Sequence, residues 1–360
     1  MMVYIFLAFA MIAFISMIIN SRYSIEAFLE VARYFTLVGL FLISYKYISS
    51  EARIRRILLT IMFISIVGAA YSYWAVFTMG ITGFILAGLT ALRGFSELVI
   101  NPNTIAMMIG NSLPLLLAYL MLGKNKKYNL IAILLFIFLA GIWLLWNSRS
   151  TYVFFFVAFL VLLAYHPKRL KYFSILITAM ACIVLIVYIS PALQGFLRLE
   201  SGLSYRDQLW GAAIDIFKRN PAFGAGPTSY GEMKFGLMEP GMARSAMGTI
   251  VSGAAAHNLL VTKAAELGIG AVLIILTFWS LVIYYFFRNI KIMKGTKFYF
   301  LYIGCFASFM GLIVRSFFEL GGFFGIGRLS DNLVPMLIVA IIIKLPVMQS
   351  KLQDYNYSHD

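Results

Sequence analysis

Charge is scarce in this chain, and acid is scarcer than base. Only 12% of the 360 residues are charged, and 14 Asp and Glu stand against 29 Lys and Arg. A soluble domain carries about twice that charged fraction, so a water-facing globule is excluded. Cysteine is nearly missing. Cys182 and Cys305 both fall inside apolar runs, which excludes a disulfide framework and a thiolate metal centre. Histidine is equally sparse: His166 stands beside a basic cluster and His359 in the tail, which leaves His257. One histidine on the outer side excludes a zinc site built from several.

What is present is apolar. Hydrophobic residues make up 62% of the chain, in runs of about the 17 to 25 residues that a helix needs to cross the hydrocarbon core. The pattern predicts an all-α polytopic integral membrane protein, a single membrane domain over 1–360 with no soluble domain left over. About ten spans are expected, near 2–19, 25–45, 57–78, 104–122, 128–146, 151–165, 172–190, 258–287, 298–317 and 332–347. The first run has no basic start and no small-residue cleavage site, so it reads as a retained span and not as a signal peptide.

The net charge of +15 would suit a nucleic-acid partner, but its placement argues for topology. Lys46, Arg53, Arg55 and Arg56 share one loop, and Lys124, Lys126 and Lys127 a second. Lys168, Arg169 and Lys171 share a third, and Arg288, Lys291, Lys294 and Lys297 a fourth. These loops alternate along the chain. By the positive-inside rule both termini are cytoplasmic and the segment 191–256 faces outside. No nucleic acid is implied.

Polar residues without a topological reason collect on that outer side. "TALRGFSELVINPNTIAMM" carries Arg93 and Glu97 and closes on Asn101, Pro102 and Asn103, which reads as a short outer helix or re-entrant piece with a helix cap. "WNSRST" is a tight outer turn holding Arg149. In the long loop, Leu209, Trp210, Ala213, Ile214 and Phe217 recur at helical spacing, predicting an amphipathic helix on the membrane surface. Asn220 and Pro221 end it. The glycines of "FGAGP" (223–227) reach phosphate only if strand context supports them, so a plain loop turn is the better reading.

His257 opens the eighth span with Asn258 beside it. At a membrane boundary it is either a proton acceptor or a helix-end histidine capping its own turn. Lys263 and Glu266 are three apart and predict a buried structural pair. Glu26, Glu30 and Arg33 form a stripe that predicts a self-neutralising network. Arg149 seeks an anion or snorkels to lipid headgroups. Arg206, Arg244 and Arg315 raise the same question, and several guanidiniums at one mouth would make a receptor for diphosphate.

"NSRST" (147–151), "RDQLW" (206–210) leading into "NPAFGAG" (220–226), and "AHNLLVTKAAELGIG" (256–270) resemble successive signatures of the O-antigen ligase and polymerase family of bacterial envelope glycosyltransferases. "INPN" (100–103) is similar to a further family element. The likeness covers about residues 93 to 275, with fewer spans expected here than in many relatives. It implies a protein of the bacterial inner membrane with its active site facing outside. Such a protein transfers glycan from a polyprenyl diphosphate carrier to an acceptor hydroxyl. The donor would be a polyprenyl diphosphate-linked oligosaccharide, and the acceptor lipid A-core in a ligase or another repeat unit in a polymerase. By motif position His257 would be the essential histidine and Arg149 and Arg206 the diphosphate contacts; Arg244 and Arg315 are further candidates, and Asn258 and Glu266 supporting residues. The chemistry calls for no cofactor and, with no outer acidic cluster to suit Mg²⁺, no metal. An inverting attack fits, since no hydrolase-type carboxylate pair is evident outside. A transporter of lipid-linked glycan or another anion is the chief rival, although transporters place binding groups near the bilayer midplane. An assembly scaffold ranks last, and polymerase is slightly preferred to ligase.

Overall fold

The computed structural model describes residues 1–20, 22–90, 102–123, 127–146, 148–168, 171, 174, 190, 206–233, 256–320, 322–325 and 329–357. Among these, every regular element is an α-helix, as an apolar chain requires when lipid offers its backbone no hydrogen bonds. In order they are α1 (Met2–Ile19), α2 (Ile25–Tyr47), α3 (Glu51–Thr90), α4 (Pro102–Gly110), α5 (Leu113–Leu122), α6 (Asn129–Leu145) and α7 (Arg149–Ala164). Then come α8 (Arg206–Arg219), α9 (Ser229–Met233), α10 (Leu259–Leu267), α11 (Ile269–Met293), α12 (Tyr299–Arg315) and α13 (Leu329–Tyr357).

Six helical stretches are long and apolar enough to cross a membrane: Met2–Ile19, Ile25–Tyr47, Glu51–Gly80, Ile105–Leu122, Ile269–Met293 and Asn332–Ser350. Asn129–Leu145, Arg149–Ala164 and Tyr299–Arg315 are shorter apolar helices. The chain is therefore a multi-pass membrane protein. The seventh expected span, 172–190, lies almost wholly outside the described residues, as do Arg93, Glu97, Cys182, Arg244 and most of the segment 191–256.

Three spans differ from their sequence reading. The run 104–122 is interrupted at Asn111 and Ser112, where Pro114 in the first turn of α5 restarts the helix. The third span runs beyond its apolar stretch to Thr90, with a kink at Gly80 (φ 69, ψ 162). The run 258–287 is not one helix but two, broken at Gly268 (φ 80, ψ −172).

The cause of that last break lies in "FGAGP". The amides of Ala225 and Gly226 donate to the carbonyls of Ala265 and Glu266, and the Ile269 amide donates to the Pro221 carbonyl. The loop thus satisfies carbonyls that the end of α10 leaves orphaned. A Cβ on Gly268 would lie 2.3 Å from the Ala222 carbonyl oxygen, and one on Gly224 would lie 2.3 Å from the Glu266 carbonyl carbon. Only glycine fits both contacts. These amides face a helix end, so a phosphate cradle at 223–227 is not what they build.

The chain divides into two compact units, residues 1–47, 203–287 and 315–340 in the first, and 48–202, 288–314 and 341–360 in the second. In the first unit α1 and α2 pack as a hairpin, and rings from distant segments interlock: Phe6 lies 5.2 Å from Phe278 and 5.4 Å from Phe324, and Phe9 4.5 Å from Phe324. Phe323 and Phe324 thereby anchor the segment that follows α12. In the second unit α4 and α6 pack with α3 and α7, around a core of Ile105, Ile109, Leu139, Ile142 and Trp143. Helix association in lipid rests on such packing and on interhelical hydrogen bonds, because lipid tails are as apolar as the side chains they exchange with.

Candidate functional site

α8 is the helix that the spacing of its apolar residues predicts, but its stripe is covered by protein. Leu209, Ala213 and Ile216 are buried with Tyr230, Ala256 and Ala265, so α8 packs on α10 rather than resting wholly on lipid. Ile214, 42% exposed, falls outside that buried stripe. Two polar bonds fix the packing: Trp210 Nε1 donates to the Ala256 carbonyl at 2.7 Å, and Tyr230 Oη to the Leu209 carbonyl at 2.9 Å. Trp210 stands one turn beyond Arg206 on the same helix, so the head of α8 and the approach to α10 are joined.

His257 stands just before Asn258, the N-cap of α10. Its φ of 50° is in the left-handed region, where a residue with a β-carbon is strained by about 1–2 kcal/mol. Asn258 is the N-cap: its Oδ1 accepts from the Val261 amide at 3.1 Å. The Leu259 amide, another of the helix's orphan donors, bonds to the Ser316 carbonyl at 2.8 Å. That bond brings the end of α12 against the start of α10.

The consequence is a contact that the sequence reading missed. The turn after α12, with the Phe318 and Glu319 amides bonded to the Arg315 carbonyl, places the Glu319 carboxylate against His257. Glu319 Oε2 lies 3.1 Å from His257 Nδ1, and Glu319 Oε1 lies 3.4 Å from an Arg206 terminal nitrogen. Burial by itself would raise the Glu319 carboxyl, but the His257 hydrogen bond and charge, with those of Arg315 and Arg206, outweigh it and hold the group below the usual carboxylate range. An ionised carboxylate only accepts, so His257 Nδ1 carries the proton and Nε2 is left with its lone pair when the ring is neutral. The imidazole side chain is 37% exposed, whereas that of Glu319 is only 10% exposed. The imidazole is accessible and its carboxylate partner is not.

His257, Arg206 and Arg315 thus gather around one carboxylate in the first unit. Arg149 belongs to the second, where it is the half-buried first residue of α7. The sequence carries one sign of Glu319, an acid four residues after Arg315 just beyond an apolar run, but spacing alone gives no pairing with residues so remote in the chain.

Glu266 does not join His257. It sits eight residues along from Asn258, about 12 Å at the rise of an α-helix. There Lys263 Nζ donates to Glu266 Oε2 at 2.9 Å and to Tyr34 Oη at 2.6 Å, and approaches Glu30 Oε1 at 3.6 Å. Glu30 also accepts from Tyr34 at 2.6 Å and from Arg33 at 3.1 Å, while Glu26 is exposed. The stripe on α2 is therefore neutralised partly across helices and without Glu26. The Thr228 amide adds a hydrogen bond to Glu266, so this cluster ties α2, α10 and the "FGAGP" loop together.

Among the described residues no group of three or more His, Cys, Asp or Glu side chains gathers as a metal site would. Arg206 and Arg315 supply positive charge beside the carboxylate-held imidazole. Such a set can take a proton from a hydroxyl and steady an anionic leaving group. No curated protein matches the chain. Residues 133–276, from within α6 to the first turns of α11, match the protein family described as O-antigen ligase.

Proposed function

From the match of residues 133–276 to the family described as O-antigen ligase, whose name points to a glycan-transferring enzyme of polysaccharide assembly, we propose the following reaction. The protein moves a glycan from a polyprenyl diphosphate carrier to an acceptor hydroxyl at the outer face of the bacterial inner membrane. The observation that carries this reading is the bridge from His257 through Glu319 to Arg206. Glu319 holds His257 in the tautomer whose Nε2 takes the acceptor's proton. The acceptor oxygen bonds to the anomeric carbon as the bond from that carbon to the diphosphate oxygen breaks, and the electron pair leaves with the diphosphate.

Charge grows on the departing group as that bond lengthens. Arg206, partly exposed at the head of α8, and Arg315, buried beside Glu319, stabilise it most when it is fully formed. Arg149 is assigned the same role by motif position alone, and Arg244 by its place in the sequence on the polar approach to His257. Attack opposite the leaving group inverts the anomeric centre, with no covalent sugar intermediate, and the arginines do the work that a divalent metal would otherwise do. Asn258 serves by capping the helix that presents His257.

Polymerase and ligase share this donor chemistry and differ in the acceptor. Purified protein in proteoliposomes, given a defined carrier-linked repeat unit, builds a ladder without lipid A-core if it is a polymerase and needs the core if it is a ligase. His257→Ala inserts normally and loses turnover by on the order of 10²- to 10⁴-fold. Full turnover in that variant rejects the reading; arrest of substrate movement across the bilayer, with transfer intact, makes the protein a transporter.

A further inference from the structure

We propose that Trp210 is a positioning residue for His257, holding the backbone of the base through the Ala256 carbonyl; this rests on the glycan-transfer reading above. The peptide plane that carries the Ala256 carbonyl turns about the bond that defines φ of His257. That φ is 50°, a conformation that a residue with a β-carbon leaves readily for the ordinary negative range. Turning the plane back would redirect the imidazole away from Glu319. The Trp210 indole N–H, 2.7 Å from the Ala256 oxygen, holds the plane where it is.

Burial makes the hold selective. Ala256 is 0% exposed, so its carbonyl has no water to exchange for the indole, and rotating the plane would strand a buried acceptor. Indole nitrogen can only donate, which leaves Trp210 one polar role. The same helix carries Arg206 one turn earlier, bonded to Glu319. α8 thus grips the base at two points, the carbonyl before it and the carboxylate beside it.

The test separates the N–H from the ring. Trp210→Phe removes the donor. Incorporating 3-benzothienylalanine at position 210, which keeps the shape of the two fused rings and has sulfur in place of the N–H, does so without disturbing packing. Tyr230→Phe removes another bond to the same helix, at the Leu209 carbonyl, and serves as the comparison. In proteoliposomes with a defined carrier-linked repeat unit, both Trp210 replacements lower kcat by on the order of ten- to a hundred-fold with KM within about two-fold, the size expected when a catalytic group is displaced by about 1 Å. Tyr230→Phe keeps kcat.

Unchanged kcat in the benzothienyl protein overturns the inference, and so does a rise in KM with kcat preserved, which would make Trp210 a substrate contact. If Trp210→Phe fails to insert, the benzothienyl protein decides alone. Full turnover in His257→Ala would reject the parent reading instead, whatever position 210 does.

Discussion

At the scale of residues, Glu319 does most to define the site. It is buried, yet held ionised by His257, Arg315 and Arg206. Its folded-state value lies below the unfolded one of about 4.3, so the stability it contributes is fully present above that value and is lost as pH falls through the lowered one. The thermal stability gap between wild type and Glu319→Gln in detergent is therefore expected to be constant at neutral pH and to close below about pH 4. A gap that persisted in acid would mean that Glu319 stabilises by shape and not by charge. If the proposed glycan transfer runs at this site, turnover of Glu319→Gln falls as well, because the amide no longer obliges Nδ1 to keep the proton. The loss should be smaller than that in His257→Ala, since the base itself survives.

At the scale of elements, the short helix α10 is the hub, and its two ends have different fastenings. Asn258 caps the start, so Asn258→Ala costs about 1 kcal/mol of stability. Gly268 ends it with φ 80 and no room for a β-carbon beside the Ala222 carbonyl. Gly268→Ala should therefore lose at least the ~1–3 kcal/mol of a strained backbone, with a further loss from the clash. Gly231 is a fair comparison because a β-carbon there meets nothing within 4 Å; Gly231→Ala is expected to be neutral or to stabilise by about 0.4–1 kcal/mol. Equal melting temperatures for the two alanine variants would show that the close approach of the loop to α10 does not hold.

At the scale of the whole molecule, buried charge and loop charge set the constraints. Lys263 is 0% exposed between Glu30 and Glu266, so Lys263→Met strands carboxylates and should cost about 3–5 kcal/mol. Lys263→Met combined with Glu266→Met should recover part of that, since Glu30 still has Arg33 and Tyr34; melting of the two proteins in detergent compares them. For the proposed orientation, a C-terminal reporter that is active only in the cytoplasm should be active. An inactive reporter, with its periplasmic counterpart active, would reverse the topology and put His257 on the wrong side for a flipped lipid-linked donor.

Local pattern was enough for what neighbours in sequence govern: among the described residues apolar runs became helices, α8 formed where its periodicity lies although Ile214 falls outside the buried stripe, and Lys263 met Glu266 because residues three apart share a helical face. The motif likeness points to His257 and Arg206, and the fold brings both to one carboxylate. What pattern could not supply were pairings made across long separations, where chain geometry rather than spacing decides which groups meet. Glu319 reaches His257 only because the Leu259 amide bonds to the Ser316 carbonyl, and the predicted continuous eighth span breaks at Gly268 only because a loop more than forty residues earlier supplies amides to its carbonyls. Hydropathy cannot register such a break, because both halves remain apolar. The sequence by itself determined a multi-pass helical membrane protein and the candidate side chains of the site; tertiary structure alone decided which carboxylate holds the imidazole, since that choice depends on backbone hydrogen bonds between distant segments.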